Sequence, residues 1–412
     1  MPLPHLPLRQ GVLTMVTGIS LEQAVELMTG GLSPLESETL PALQALGRTL
    51  ASDVTAPVDQ PPFDRSPLDG YALRSADIAG AKRDHPVCLP VVDTLYAGDA
   101  AKSPLLPGQA IRIMTGAMLP QGCDCVLRQE DTDLGNPVRI YASLPPYKNY
   151  VYQGEDYRTG SLLLPAGTRL DAAALGVLAS AGLTEVAVRR RPKVGLLTTG
   201  DEVVEAGQPL PPGKIYGSNG ALLTARLTEL GMPSFCRHAA DSPAAVSKAM
   251  EGMLEGCDLL ITTGGVSVGD KDIFHQALPL LGAERVFWKV DLKPGTPAMF
   301  SQYNGKPILS LSGNPFAAFT TFELLAQPLL AALAGEPHLL PRRQQAVLAT
   351  PYDKPSPRRR FLRGRYEDGQ VTLPVGHSSG QLASLVGCNC LVELPAGTPP
   401  VEAGQAIQVW LL

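Results

Sequence analysis

The segment Leu259-Leu260-Ile261-Thr262-Thr263-Gly264-Gly265-Val266-Ser267-Val268-Gly269-Asp270-Lys271-Asp272 decides the fold. Its apolar head reads as a short strand buried on both faces of a parallel sheet. Gly264, Gly265 and Gly269 let the backbone turn sharply and approach a ligand closely. Two small hydroxyls, Thr263 and Ser267, lie beyond the strand end, and Asp270 and Asp272 close the segment before a helical pattern begins at Ile273. Amides exposed between a strand end and a helix start attract phosphate or another oxyanion. A carboxylate beside such an anion is repelled unless a cation lies between, and the hard cation that fits is Mg²⁺. The local expectation is an oxyanion site with a divalent metal.

Outward from this segment, Pro192 to Gly335 alternates strand and helix patterns. Val194–Thr198 reads as a strand ended by Gly200. Asn219–Leu230 reads as a helix with Leu223, Leu227 and Leu230 on one face and Gly231 as its stop. Ser242-Pro243 is a helix start, with the hydroxyl as N-cap and proline first in the helix. A helix over Ile273–Leu281 and strands at Val286–Trp288 and Pro307–Leu311 follow. A long helix then runs from Phe316 to Gly335, with Pro328 as a site for a kink. This order implies a parallel sheet covered by helices on both faces, with its ligand crevice outside the carboxyl ends of the strands. Those ends carry Thr199-Gly200-Asp201-Glu202, Asp241, the opening segment, Trp288-Lys289 with Lys293-Pro294-Gly295, and Ser312-Gly313-Asn314-Pro315. Their convergence on one edge argues more strongly for a site than any single motif does.

The flanks differ in style. Residues 1–18 read as a disordered lead, with Met15 a second candidate start. Residues 19–191 form the N-terminal regions, helical at Leu21–Met28, mixed over Ala42–Val54, and β-rich at about 57–150. The α/β domain takes 192–337. Residues 338–412 carry short apolar strands between Asp-Gly, Pro and Gly turns, which suggests a small β-barrel. The fold class is therefore multidomain α/β: a central three-layer α/β/α domain with an N-terminal β-rich module and a C-terminal β-barrel.

Composition narrows the class. The chain has 412 residues, 44% hydrophobic and 18% charged, with a formal net charge of −5. Bulk attraction to nucleic acid or an anionic membrane is not expected. No apolar run is read as reaching the roughly 18–20 residues that span a bilayer. Seven cysteines, none at Cys-x-x-Cys spacing, and six scattered histidines offer no zinc pattern. Cys123/Cys125 and Cys388/Cys390 read as small core residues, with thiol chemistry the lesser option. Cytoplasmic localisation is the expectation.

Individual motifs have ordinary readings too. Asp69-Gly70 and Gly154-Glu155-Asp156 could be turns. Asp201, Glu202, Asp241, Asp270 and Asp272 could be solvated strand-end charges. As a set they are harder to dismiss, because crowded carboxylates repel unless a metal or cationic partner offsets them. Lys289 and Lys293 could be surface lysines, yet they sit where an oxyanion needs positive charge. The run Arg358–Arg365 carries five arginines and no acid. It reads as a solvated hairpin or as an anion-binding edge facing the acids.

Taken in order, Phe63-Asp64 through Asp69-Gly70-Tyr71-Ala72, Arg112-Ile113-Met114-Thr115-Gly116, Gly154-Glu155-Asp156, Thr199-Gly200-Asp201-Glu202, Gly264 to Asp272, Lys293-Pro294-Gly295 and Gly313-Asn314-Pro315 resemble the molybdopterin molybdenumtransferase family. This family includes bacterial MoeA and the E domain of gephyrin, and the likeness extends from about Ile19 to Leu412. Departures are Arg65 and Pro67-Leu68 before Asp69, and Ser312 where proline is frequent.

The resemblance implies insertion of molybdate into adenylylated molybdopterin, with release of AMP and formation of molybdenum cofactor. It implies Mg²⁺ as cofactor and molybdate as substrate. It also implies a homodimer whose cleft is completed by the partner's N-terminal module. Transient contact with other cofactor-biosynthesis proteins fits this role, and neither nucleic acid nor membrane does. By motif match, Asp272, Asp69, Glu202, Asp241 and Thr115 are the catalytic candidates. Asp201, Glu202, Asp241 and Asp272 are the metal candidates. Gly264, Gly265, Ser267, Gly269, Asp156, Lys289, Lys293, Asn314, Arg363 and Ser379 are the substrate-binding candidates, with Lys289, Lys293, Arg363 and Ser379 toward molybdate or phosphate. Competing readings are a molybdopterin adenylyltransferase, a pyrophosphatase carrying the same glycine-rich motif, and a non-enzymatic scaffold of the gephyrin type.

Overall fold

The computed structural model describes residues 16–266 and 273–412. It divides into two compact units: residues up to Glu36 together with Arg189–Leu412, and Ser37–Val188.

The first unit is built on a seven-stranded sheet. Its strand order is Val16–Ile19, Glu284–Val290, Met299–Tyr303, Lys306–Leu311, Leu259–Thr263, Val194–Thr199 and Ser234–Ala239. All neighbours pair parallel except around Met299–Tyr303, which runs antiparallel to both of its partners. That strand departs from the expected all-parallel sheet. Its cause is local: Asn304 and Gly305 both take positive φ, 49° and 77°, and Tyr303 pairs with Lys306. A two-residue Asn-Gly turn of this kind matches the twist of a hairpin. The edge strand is a second departure. The lead expected to be disordered through residue 18 is already ordered at Val16–Ile19, which pairs with Phe287–Val290.

Both sheet faces are covered, as a buried parallel sheet requires. One core joins Leu196, Ile261, Phe287, Phe300 and Leu309 to the helix at Leu21–Thr29 and to the helical segment Pro315–Ala334. The other joins Leu197, Leu260 and Ile308 to helices Pro243–Leu254 and Ile273–Leu281. The Leu21 helix starts at a capping box, in which Ser20 and Gln23 satisfy each other's backbone amides. Ser242 stands at the expected N-cap before Pro243, but its hydroxyl makes no capping bond.

The long helix is irregular one step earlier than its proline suggested. Pro315–Thr321 is α-helical, Phe322–Ala326 is a π-turn, and Gln327–Ala334 resumes the α-helix. The Gln327 amide donates to the Phe322 carbonyl. Pro328 has no N–H for the Leu324 carbonyl and its ring crowds that turn, so the widened turn absorbs the mismatch. This 20-residue segment is apolar and long enough to span a bilayer, contrary to the expectation from the sequence, yet 94% of its most apolar 18-residue stretch is buried. Its one buried carboxylate, Glu323, accepts from Arg226 Nε at 2.8 Å and Nη2 at 3.2 Å, and from Gln327.

The C-terminal strands Arg342–Leu348, Gln370–Thr372, Arg360–Glu367, Cys390–Leu394 and Ala406–Leu411 close into a five-stranded barrel. Phe361, Leu391 and Trp410 from this barrel belong to the same core as the α/β domain.

The second unit is β-rich as expected. Its largest sheet orders Val91–Leu95, Ala110–Ile113, Gly70–Leu73 and Cys125–Arg128. Gly70 has no room for a side chain, because a Cβ there would collide with the Leu127 carbonyl. A helix at Ala172–Ser180, capped by Asp171, was not foreseen in this region.

Replacing Glu323 with Ala takes the buried partner from the Arg226 guanidinium, whose side chain is 14% exposed, and leaves it only the more exposed Glu229, 2.8 Å away. Breaking a buried charge-assisted bond costs on the order of 1–3 kcal/mol when part of the pairing survives, so Glu323→Ala should lower the stability of this unit by that order in a denaturant titration.

Candidate functional site

A cleft of about 2110 Å³ opens at the carboxyl edge of the seven-stranded sheet, lined by strand-end loops on one side and barrel segments on the other. Its floor is set by backbone proximity. Gly264 takes φ 107°, and a Cβ there would lie 2.6 Å from Thr199 Oγ1. A Cβ on Gly313 would lie 3.4 Å from the Gly264 Cα. The ends of three adjacent strands therefore touch through main chain, which only glycine permits at 264. Gly265 is similarly close to Ile273, with 2.5 Å from a built Cβ to its Cγ2. Asn219 Nδ2 donates to the Gly313 carbonyl at 2.9 Å, joining the Asn219 helix start to this floor. Thr199 Oγ1 and Asn219 Oδ1 are buried without partners among the described residues. Buried polar atoms normally have partners, so both leave hydrogen-bonding capacity at the cleft floor.

The acidic wall comes from two neighbouring loops. The Asp201 amide donates to Asp241 Oδ2 at 3.2 Å, and the Asp241 amide donates to Asp201 Oδ1 at 3.0 Å. Lys214 Nζ donates to the Asp201 carbonyl at 2.6 Å. A built Cβ on Gly200 would be 2.9 Å from Glu202 Oε1, so this carboxylate folds back over the turn. Glu202, Glu205 and Asp241 line the cleft. Among the described residues, no three acidic, His or Cys side chains gather into a metal site. Asp272, Asp270, Ser267 and Gly269 lie outside the described residues.

The basic wall is the barrel side. Lys293 lines the cleft, its amide donating to the Arg359 carbonyl and its carbonyl accepting from the Phe361 amide, each at 2.8 Å. Ser379 and Asn314 also line it, and the Ser379 carbonyl accepts from the Phe316 amide at 3.0 Å.

Two residues expected to hold an oxyanion are placed differently. Arg363 is fully buried and is not among the cleft's lining residues. Its guanidinium lies 3.5 Å from the Phe316 ring centroid and donates to Ser384 Oγ at 2.7 Å, to the Ser378 carbonyl at 2.8 Å and to the Gln381 carbonyl. It positions the Ser378–Gln381 loop against the helix start. Lys289 also lies off the cleft lining, with φ 68° and its ammonium 3.9 Å from the Trp288 ring centroid. The arginine run is correspondingly split. Arg358 and Arg360 face the cleft, Arg359 pairs with Glu22 and Glu393, and Arg365 pairs with Glu367.

Asp69, Thr115 and Asp156 belong to the second unit. Asp69 Oδ1 accepts from both the Thr115 amide and its hydroxyl, each at 2.8 Å. The amide bond, then the hydroxyl bond, holds the Asp69 carboxyl below the usual carboxylate range. Asp156 sits exposed in its turn, with its amide donating to the Gln60 carbonyl at 2.9 Å. Sequence reasoning missed Asn219, Tyr352, Lys354 and His377 as cleft residues; Asn219 carried no signal beyond its place at a helix start. Burial pushes the Cys123 and Cys390 thiols up, to about 11 and about 12, and raises Cys125 further. These thiols stay protonated and act as core atoms.

A crossover α/β domain with a glycine-built floor at its strand ends, preceded by a β-rich module and followed by a barrel, defines a class. Three family models follow one another along the chain: the MoeA N-terminal region (domain I and II) over 19–182, the probable molybdopterin binding domain over 195–332, and the MoeA C-terminal region (domain IV) over 345–412. A molybdopterin molybdenumtransferase of Bacillus subtilis is 37% identical, covering 96% of this chain and 94% of its own. One of Staphylococcus aureus is 33% identical, covering 95% of each. The crystal structure of a molybdopterin biosynthesis MoeA protein from Pyrococcus horikoshii superposes with a TM-score of 0.84 at 32% identity, over 96% of this chain and 99% of that one. The chain belongs to the molybdopterin molybdenumtransferase family.

Thr115→Ala removes one of the two bonds that depress Asp69. The carboxyl should then titrate closer to the ordinary range, read by NMR. Because its folded value is depressed, the stabilisation from Asp69 is present above the ordinary carboxylate range and is lost as pH falls through the depressed value. The variant should shift that loss to higher pH.

Proposed function

We propose that this chain inserts molybdate into adenylylated molybdopterin, releasing AMP and giving molybdenum cofactor. The observation that carries this reading is the pairing, in one cleft, of a strand-end acidic wall with a barrel-side basic wall across a floor of glycine backbone. A phosphoanhydride and a tetrahedral dianion need both walls. The phosphates need a counter-charge, and molybdate needs fixed donors.

Asp201, Glu202 and Asp241, with Asp272, are the oxygen donors suited to Mg²⁺. Mg²⁺ is commonly held by one or two carboxylates together with substrate phosphates and water. When bound, the ion neutralises charge that builds on the phosphates. The reciprocal amide bonds between Asp201 and Asp241 hold both loops in register and orient their carboxylates. Gly264 and Gly265 allow the phosphates to approach main chain, and Ser267 and Gly269 are the further substrate-binding candidates of the same motif. Lys293, Ser379 and Asn314 present donors to the oxyanion. Arg363 contributes by fixing the loop that carries Ser379, and Lys289 by bracing Trp288 beside the Lys293 segment.

We further read the active form as a cytoplasmic homodimer, in which the partner's N-terminal module brings Asp69, Thr115 and Asp156 to the substrate. A specific test is molybdate-dependent AMP release from adenylylated molybdopterin. Glu202→Gln, Asp241→Asn and Asp272→Asn should each lower the rate at least about a hundredfold, the loss expected for a removed charge-stabilising group, while leaving the fold intact by circular dichroism. Wild-type rates in all three would overturn the acidic-wall assignment.

A further inference from the structure

The barrel wall carries more positive charge than the residues above account for. Lys354, Arg358, Arg360 and His377 all line the cleft, and Asp353 is the acid among them. Arg358 reaches Asp291 at 3.9 Å, with both side chains largely exposed. Arg360 is held by its neighbours: Nη1 donates to the Tyr352 hydroxyl at 2.7 Å, and its backbone bridges to Lys293. Its Nε is buried without a partner among the described residues. His377 stands edge-on to the same tyrosine, ring centroids 5.8 Å apart, and its Nδ1 is also buried and unpartnered among them. Burial, followed by the charges of Arg363, Lys354 and Arg360, holds the His377 imidazole below its ordinary range. The group thus has a cationic field and two buried nitrogen atoms with no partner among the described residues, an arrangement that is costly unless a ligand completes it.

We propose that Arg360, Lys354 and His377, braced by Tyr352, form a second anion subsite on the barrel wall, beside the one at Lys293 and Ser379, and that it takes a tetrahedral dianion. Arginine's planar fork suits such an oxygen array, and with Nη1 engaged by Tyr352 the remaining donors stay available to it. Within the proposed reaction two sources share this chemistry: free molybdate, and the phosphate of the adenylyl half. The assignment of the dianion rests on that functional reading; the subsite does not.

The test titrates full-length wild type, Arg360→Gln, Arg360→Lys and His377→Gln with molybdate alone and with AMP alone by calorimetry, after melting curves show that each is folded. Charge-assisted bonds of this kind support roughly tenfold effects or more. Arg360→Gln should bind one of the two anions at least about tenfold more weakly, with partial recovery in Arg360→Lys and a smaller loss in His377→Gln. Selective loss of molybdate assigns the free oxyanion, and selective loss of AMP assigns the nucleotide phosphate. Wild-type affinity for both anions in folded Arg360→Gln overturns the subsite, as does failure of the wild type to bind either. Should Arg360→Gln not fold, wild-type affinities in Arg360→Lys and His377→Gln together overturn it. Wild-type turnover is measured separately. Without AMP release the functional reading falls, while the anion affinities still decide the subsite.

Discussion

Main-chain contact between neighbouring strand ends is the constraint on which the site depends. Thr199, Gly264 and Gly313 end three adjacent strands, and their backbones approach so closely that a single methyl group at 264 would meet the Thr199 hydroxyl. A parallel sheet aligns the carboxyl ends of its strands by construction. Without side chains between them, those ends make a continuous floor of backbone. The Asp201–Asp241 clasp on one side and the Asn219–Gly313 bond on the other then fix the loops that rise from it.

The opposite wall is organised differently. No sheet edge presents it; a buried guanidinium does. Arg363 stacks on Phe316 and binds the 378–384 segment through Ser378, Gln381 and Ser384, so the start of the long apolar helix and the barrel loop are fixed together. The Ser379 carbonyl on the Phe316 amide and the Lys293 backbone on Arg359 and Phe361 complete the joint. Charge that a reader of the sequence would assign to a ligand is partly structural, and the cations that line the cleft lie a few residues away at Arg358 and Arg360.

Much of this was legible in the sequence, for physical reasons. Period and punctuation set the α/β domain, because buried strands and amphipathic helices leave different apolar spacings at Leu259–Ile261 and at Leu223, Leu227 and Leu230. Strand-end motifs announced the cleft edge. The antiparallel strand was missed although Asn304-Gly305 signalled its hairpin, because an apolar run such as Met299-Phe300 does not declare its direction. The inward turn of Arg363 was illegible, since alternate positions on a barrel strand face opposite ways and sequence does not say which face is buried. Lys289 failed similarly: its left-handed backbone turns it onto Trp288. The acids were read as one cluster, and among the described residues they form a clasp rather than a cage.

The first unit holds both the strand at Val16–Ile19 and the strand at Ala406–Leu411, while Ser37–Val188 forms a unit of its own between them. Trp410 lies in the same core as Ile19 and Leu21. On the ribosome, where domains assemble as their residues emerge, the intervening unit has its whole sequence available early. The unit that carries the cleft cannot complete its core until the final barrel strand has been synthesised. Its edge strand and first helix must wait through more than half the chain for the strand at Glu284–Val290 that pairs with them. The cleft is thus finished late, and a truncated product lacking the strand at Ala406–Leu411 would be left with an open core.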